Sequence, residues 1–216
     1  MAKDIYVVAH TQSEHHVQGL VGGWYDSDLT DLGRRQAEAV ADRLAEALRD
    51  QPDVETYASD LKRASQTADA IARRLSRPVV LLPDLRERSA GIAGGKPAAW
   101  LHDRAIPPPR GDGRLDHDQG VEGAETTRAF ATRVYRALQQ ILASDCPAQV
   151  IVTHGFVVTQ LIAAWIRMPL ESVGWAHFKS NAGGITLLQE DDDFFDRVVT
   201  YLNDRDHLAG VSPAPA

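Results

Sequence analysis

The chain has 216 residues, 44% of them hydrophobic, with 23 Lys plus Arg against 30 Asp plus Glu and a formal net charge of -7. That length and apolar content suit one α/β domain with a sizeable core. The negative balance excludes a global electrostatic footprint for nucleic acid or for an anionic membrane, so an anionic ligand would need a local cluster of positive charge. The single cysteine, Cys146, excludes an intramolecular disulfide framework and fits a reducing compartment, so a cytoplasmic location is expected.

From the N-terminus, Met1 to Lys3 lead into an apolar segment, Ile5 to Ala9, that is too short for a secretory leader. Ile5 to Val8 reads as a β-strand delivering His10 at its end. Leu32 to Leu48 carries apolar residues at helical spacing, with Asp31 placed to cap it. Val54 to Ala58 reads as a second strand, Leu61 to Leu75 as a helix that Asp60 would cap, and Val79 to Leu82 as a further strand. From Arg88 to Glu122 the periodicity fails. Glycines and the run Pro107 to Pro109 sit among charges, with one short helix around Ala98 to Asp103, which predicts a long excursion carrying a substrate-selecting surface. Ala124 to Leu142 is again helical. Val150 to Thr153 is a strand ending at His154, and the apolar stretch Phe156 to Leu170 is too short and too interrupted to span a bilayer. Gly183 to Leu188 and Arg197 to Tyr201 form a closing strand pair around the acidic Glu190 to Asp193 turn. The Pro-rich residues 210–216 are expected to be a disordered tail. The alternation predicts a doubly wound, mostly parallel sheet with helices on both faces, in one domain over residues 1–209 with 88–122 as a cap insertion.

Ligands of open α/β sheets bind outside the carboxyl ends of the strands. Three strand ends here supply His10, the segment Ser59-Asp60-Leu61-Lys62-Arg63, and His154-Gly155, while Glu87 follows the Val79 to Leu82 strand. Taken singly, each has an ordinary reading. His10 and His154 could be strand-end histidines bonded to neighbouring groups, and Arg63 and Glu87 could be solvated charges. Taken together they describe metal-free phosphoryl transfer: an imidazole nucleophile, a guanidinium suited to phosphate, and a carboxyl group to protonate a departing oxygen. The THG segment before a helix also places amide donors, Gly155 among them, where anions bind.

The segments AHTQSEHH (9–16), GGWYDSDLTDLGRRQA, ASDLKRASQTA (58–68), LRERSAGIAGGK, GVEGAETTRAFATRV, VTHGFVV and NAGGITLL together resemble the histidine phosphatases, the phosphoglycerate-mutase-like superfamily (branch 1), over nearly the whole chain. The resemblance implies a phosphoglycerate-mutase-like fold, with His10 as the phosphorylated nucleophile, Arg63 and His154 on the transferring phosphoryl group, and Glu87 as acid and then base. It implies no cofactor, no metal, and a small phosphorylated metabolite as substrate. The chain departs from the first motif: the family's Arg is Ala9, its Gly is Thr11, its Glu is Gln12 and its Asn is His16. Loss of one charge-assisted donor to phosphate costs roughly 1.5 to 3 kcal/mol of transition-state stabilisation, on the order of ten- to a hundredfold in rate. Protonated His16, with His15, is expected to replace part of the missing guanidinium beside bound phosphate, which would favour mildly acidic pH.

The alternatives are a phosphate-ester-binding protein without turnover, a phosphoglycerate-type mutase, and a zinc site built from His10, His15, His16 and His154. The family's mutases carry a long insertion that is absent here, which favours hydrolysis. Lys62, Arg86, Arg88, Lys96 and Arg104 are candidates for distal charged groups of a substrate, with solvated surface as their ordinary reading. Neither the substrate nor the oligomeric state is written in the sequence.

Overall fold

The structure is a computed structural model that describes residues 3–211. Its strands are β1 (Lys3–Ala9), β2 (Val54–Ala58), β3 (Val79–Leu81), β4 (Ala148–Thr153), β5 (Ile185–Glu190) and β6 (Arg197–Asp204). They form one sheet in the order β3-β2-β4-β1-β5-β6. The pairs β2–β3, β2–β4 and β1–β4 are parallel, and β5 runs antiparallel to both β1 and β6. The sheet is therefore mixed, with the parallel part carrying the first four strands. Every residue of β4 is buried, as its central place requires.

Six helices accompany the sheet: α1 (Glu14–Val17), α2 (Asp31–Ala47), α3 (Lys62–Leu75), α4 (Ala98–His102), α5 (Thr127–Leu142) and α6 (Gly155–Trp165). Two-residue alternation along the strands divides the core. Tyr6, Val8, Val150 and Val152 pack with Val40, Leu44, Ala68 and Ile71 of α2 and α3. Ile5, Val7, Ile151 and Leu188 pack with Val134, Leu138, Leu161 and Trp165 of α5 and α6. Helices thus cover both faces, as the periodicity predicts. No helix among the described residues is long and apolar enough to cross a membrane.

Two expected caps are corrected. Helix α2 is capped by Thr30, whose hydroxyl accepts the Gly33 amide at 2.9 Å, so Asp31 is the first helical residue rather than the cap. Helix α3 has Leu61 at its cap position, and Asp60 instead receives two hydrogen bonds from Arg86, at 2.7 and 2.5 Å. A bidentate guanidinium partner outcompetes a single backbone amide for the carboxylate. Helix α5 starts at Thr127, behind a Thr126 cap, because Ala124 pairs with Ala90 and the Glu125 amide donates to the Ser89 carbonyl. Of the expected disordered tail, residues 212–216 lie outside the described residues.

Candidate active site

Strands β2, β4 and β1 are neighbours and parallel, so their carboxyl ends deliver Ser59, His154 and His10 side by side at one edge of the sheet. A cavity of about 730 Å³ opens there, lined by His10, His16, Arg63, Glu87 and Gly155 among others. The structure therefore brings five of the six sequence-predicted site residues to one wall. His154 does not line the cavity. It is fully buried behind His10, with ring centroids 5.1 Å apart in an edge-on arrangement.

The imidazole of His10 is 6% exposed and held at both nitrogens. Its Nδ1 lies 2.8 Å from the Thr11 carbonyl and its Nε2 accepts from Arg63 Nε at 3.2 Å. A carbonyl can only accept, so Nδ1 carries the proton and Nε2 holds the lone pair. Burial, then the charge of Arg63, keeps the ring well below the usual histidine pKa, hence neutral. The Thr11 side chain does not disturb this arrangement. Its hydroxyl donates to the Gly33 carbonyl at 2.8 Å, and its backbone is outside the left-handed region. Helix α2 approaches this loop so closely that a Cβ on Gly33 would lie 1.9 Å from the Gln12 carbonyl oxygen.

Arg63 is 1% exposed. Besides His10, it donates to the carbonyls of Gly23 at 2.7 Å and Tyr25 at 2.9 Å. His154 Nε2 lies 2.8 Å from the Ser59 hydroxyl, and its buried Nδ1 has no hydrogen-bond partner. A buried polar atom left unpaired is costly.

Glu87 lies on the cavity wall with Oε1 accepting the Arg88 amide at 2.8 Å and Oε2 accepting the Phe156 amide, in the first turn of α6, at 3.2 Å. Burial raises its pKa, against the lowering effect of these amides and of the Arg63 and Arg133 charges. A carboxyl so placed holds its proton to higher pH than a solvated one and can deliver it.

His16 stacks on His10, with centroids 5.2 Å apart and planes 13° from parallel, and His15 lies behind it at 4.2 Å. The surroundings push the His16 pKa down, first by burial and then through Arg63. His15, bonded through Nδ1 to Ser27 Oγ at 2.8 Å, is lowered to about 3. These surroundings oppose the charge that is expected on the pair beside bound phosphate. Among the described residues, no group of three or more His, Cys, Asp or Glu could hold a metal ion. The histidine rings pack face against face and edge instead of converging on a point. Ala9 is 3% exposed, belongs to the α5–α6 side of the core and does not line the cavity.

Of the basic residues singled out for distal contacts, only Arg88 reaches the wall. Arg86 is taken by Asp60, Lys62 lies 3.6 Å from Asp28, and Arg104 lies over Trp100. The cap contributes Leu101, Pro108, Arg114, His117 and Gln119, and His177 closes the far side. These residues were not legible as site residues because they lie in a segment without periodicity. Ser59 could have been found from its place at a strand end.

The family model described as Histidine phosphatase superfamily (branch 1) matches residues 5–204. The chain belongs to this superfamily. Among its relatives is an Arabidopsis thaliana protein named metal-independent phosphoserine phosphatase, 34% identical over 160 residues, which are 72% of this chain and 65% of that protein. The chain thus spans slightly under two thirds of that relative's length. A Mycolicibacterium vanbaalenii glucosyl-3-phosphoglycerate phosphatase is 31% identical over 180 residues, 78% of this chain and 76% of the relative. Bacillus stearothermophilus YhfR shares the histidine phosphatase fold with a TM-score of 0.76 at 24% identity, covering 95% of this chain and 99% of that one.

Proposed function

We propose that this histidine phosphatase is a metal-independent phosphomonoesterase that acts on a small phosphorylated metabolite through a phosphohistidine on His10. The observation that carries the reading is the state of His10: Nδ1 is committed to the Thr11 carbonyl, so a lone pair remains on Nε2 beside Arg63, in a cavity that Glu87 also lines. The names of the relatives support hydrolysis of phosphomonoesters as the reaction class. A cavity of about 730 Å³ has room for an organic group beyond the phosphate.

The steps balance on these groups. The phosphoryl group displaces the Arg63–His10 hydrogen bond, and Arg63 transfers that donor to a phosphoryl oxygen. His10 Nε2 attacks phosphorus, the bond to the ester oxygen breaks, and protonated Glu87 gives its proton to that oxygen. Glu87, now a carboxylate, takes a proton from water as the water oxygen attacks phosphorus and the P–N bond breaks. His10 regains its lone pair, Glu87 its proton, and Nδ1–H stays on the Thr11 carbonyl throughout. Fixed donors supply most of the acceleration in such transfers. The Gly155 amide at the start of α6, on the cavity wall, is the further group assigned to the phosphoryl oxygens, and His154 is assigned to back the His10 ring.

The buried Ala9 favours a second reading, a phosphate-ester-binding protein without turnover, because the cavity wall lacks the family's first guanidinium. Hydrolysis of an aryl phosphate in chelator, with vanadate as inhibitor and His10→Ala as control, separates the two. The proposal expects chelator-resistant, vanadate-sensitive turnover that His10→Ala abolishes, with an acid-labile phosphoprotein trapped on rapid quench. Binding of vanadate without turnover or label would establish the second reading, and turnover that chelator abolishes would revive the zinc site.

A further inference from the structure

We infer that Arg133 and Glu125, neither of which lines the cavity, are the positioning pair for Glu87. The inference rests on the assignment of Glu87 as the acid. Glu87 belongs to no helix or strand: it follows the 3-10 turn Pro83–Leu85 and precedes the Ala90–Ala124 bridge. No ladder of backbone hydrogen bonds fixes it, so its place must come from side chains.

Arg133, in the middle of α5, supplies them. Its Nη1 donates to the carbonyls of Asp84 at 2.8 Å and Arg86 at 2.7 Å, and its Nη2 donates to the carbonyl of Glu87 itself at 2.8 Å. Nε and Nη2 also reach the two carboxylate oxygens of Glu125, both at 2.8 Å. Glu125 Oε2 in turn accepts the Ser89 amide at 2.7 Å. The main chain at residues 84, 86, 87 and 89 therefore hangs on one ion pair. Trp24 Nε1 adds a second donor to the Glu87 carbonyl at 2.7 Å.

The chemistry of the pair fits this task better than a purely stabilising one. Arg133 is 9% exposed, and desolvation offsets most of the attraction in a buried ion pair. What the planar fork offers is five donors in a fixed geometry, enough to bind three carbonyls and a carboxylate at once, which an ammonium group cannot do. A general acid displaced by ~1 Å loses on the order of 100-fold in rate.

The leaving group provides a readout that a general loss of structure would not give. An alkyl phosphate needs its departing oxygen protonated, whereas a nitrophenyl phosphate leaves readily as the anion. Steady-state kinetics on both esters would be measured for the wild type, Glu87→Gln, Arg133→Lys and Glu125→Gln, with thermal melts of each. Because Glu87 is also the base in hydrolysis of the phosphohistidine, a step both esters share, the contrast is read in kcat/KM, which reports the leaving-group step. Arg133→Lys and Glu125→Gln should lower kcat/KM for the alkyl ester by about 30-fold or more and change that for the aryl ester by less than about threefold. Equal losses on both esters, or none, would overturn the inference. If Arg133→Lys does not fold, the near-isosteric Glu125→Gln carries the comparison. Glu87→Gln separates the two levels: if it shows no leaving-group dependence, the acid assignment itself fails; if it does and the two positioning variants do not, only this inference fails.

Discussion

Replacing His15 by Asn should flatten the acid side of the stability curve. His15 is 5% exposed and bonded to Ser27, and its pKa is lowered to about 3, first by burial and then by the neighbouring His16 and Arg63. In the unfolded chain the same imidazole titrates near ~6.5. The folded value lies below the unfolded one, so the unfolded chain takes up the proton first as pH falls. The resulting stability is complete above the unfolded value and drains away as pH drops toward about 3. Between pH 7 and pH 5 the loss from this one residue integrates to about 2 kcal/mol, or about 4 °C in Tm for a chain of this length. His10 and His154 are shifted in the same direction, so the wild type loses more in total. Asn can keep a hydrogen bond to Ser27 and does not titrate. Urea unfolding of both proteins at pH 7, 6 and 5 gives the difference in slope, in which any constant cost of the substitution cancels. Parallel curves would show that His15 is not held neutral, and the account of the histidine cluster would fall with it.

Three other outcomes follow from the same site. Burial raises the Glu87 pKa, so turnover of an alkyl phosphate should persist above the ordinary carboxylate range and decline as pH rises through that raised value; Glu87→Gln should erase this limb, and an unchanged profile would exclude Glu87 as the titrating acid. An anion beside His16 should reverse the downward shift that burial and Arg63 impose, so vanadate binding near pH 6 should take up a proton that is no longer taken up in His16→Asn, read by calorimetry in buffers of different ionisation enthalpy. Gly33→Ala should cost roughly 3 kcal/mol of stability in urea unfolding, because the new Cβ meets the Gln12 carbonyl oxygen; a loss below about 0.5 kcal/mol would show that helix α2 yields easily.

What the sequence could disclose depended on how local each cause was. Strands and helices with a strong apolar period were legible to within three residues at either end, because which face is buried is decided by neighbours three or four positions away. His10, Arg63, Glu87 and Gly155 were legible because each sits at a fixed offset within a motif. Asp60 was misread because its partner, Arg86, lies 26 residues away, and no local rule shows that a carboxylate is already taken. Arg133 was not singled out within the helical pattern Ala124 to Leu142, and only the fold reveals that it meets three carbonyls. The lowering of the His16 pKa by burial and by Arg63 was not legible either, because Arg63 reaches it only through the fold.

The loop around Trp24 joins the two halves of the reaction centre. Arg63 is tied to the carbonyls of Gly23 and Tyr25, while the Trp24 indole between them holds the carbonyl of Glu87. On the proposed roles, nucleophile side and acid side are thus gauged against one short piece of chain before any ester enters. The cap and the segment around His177 supply much of the remaining cavity wall. Recognition and reaction are separable in such an arrangement. An exchange confined to residues 98–119, with residues 22–25 and 84–90 untouched, should redirect the choice of ester and leave the rate of phosphoryl transfer nearly as it was.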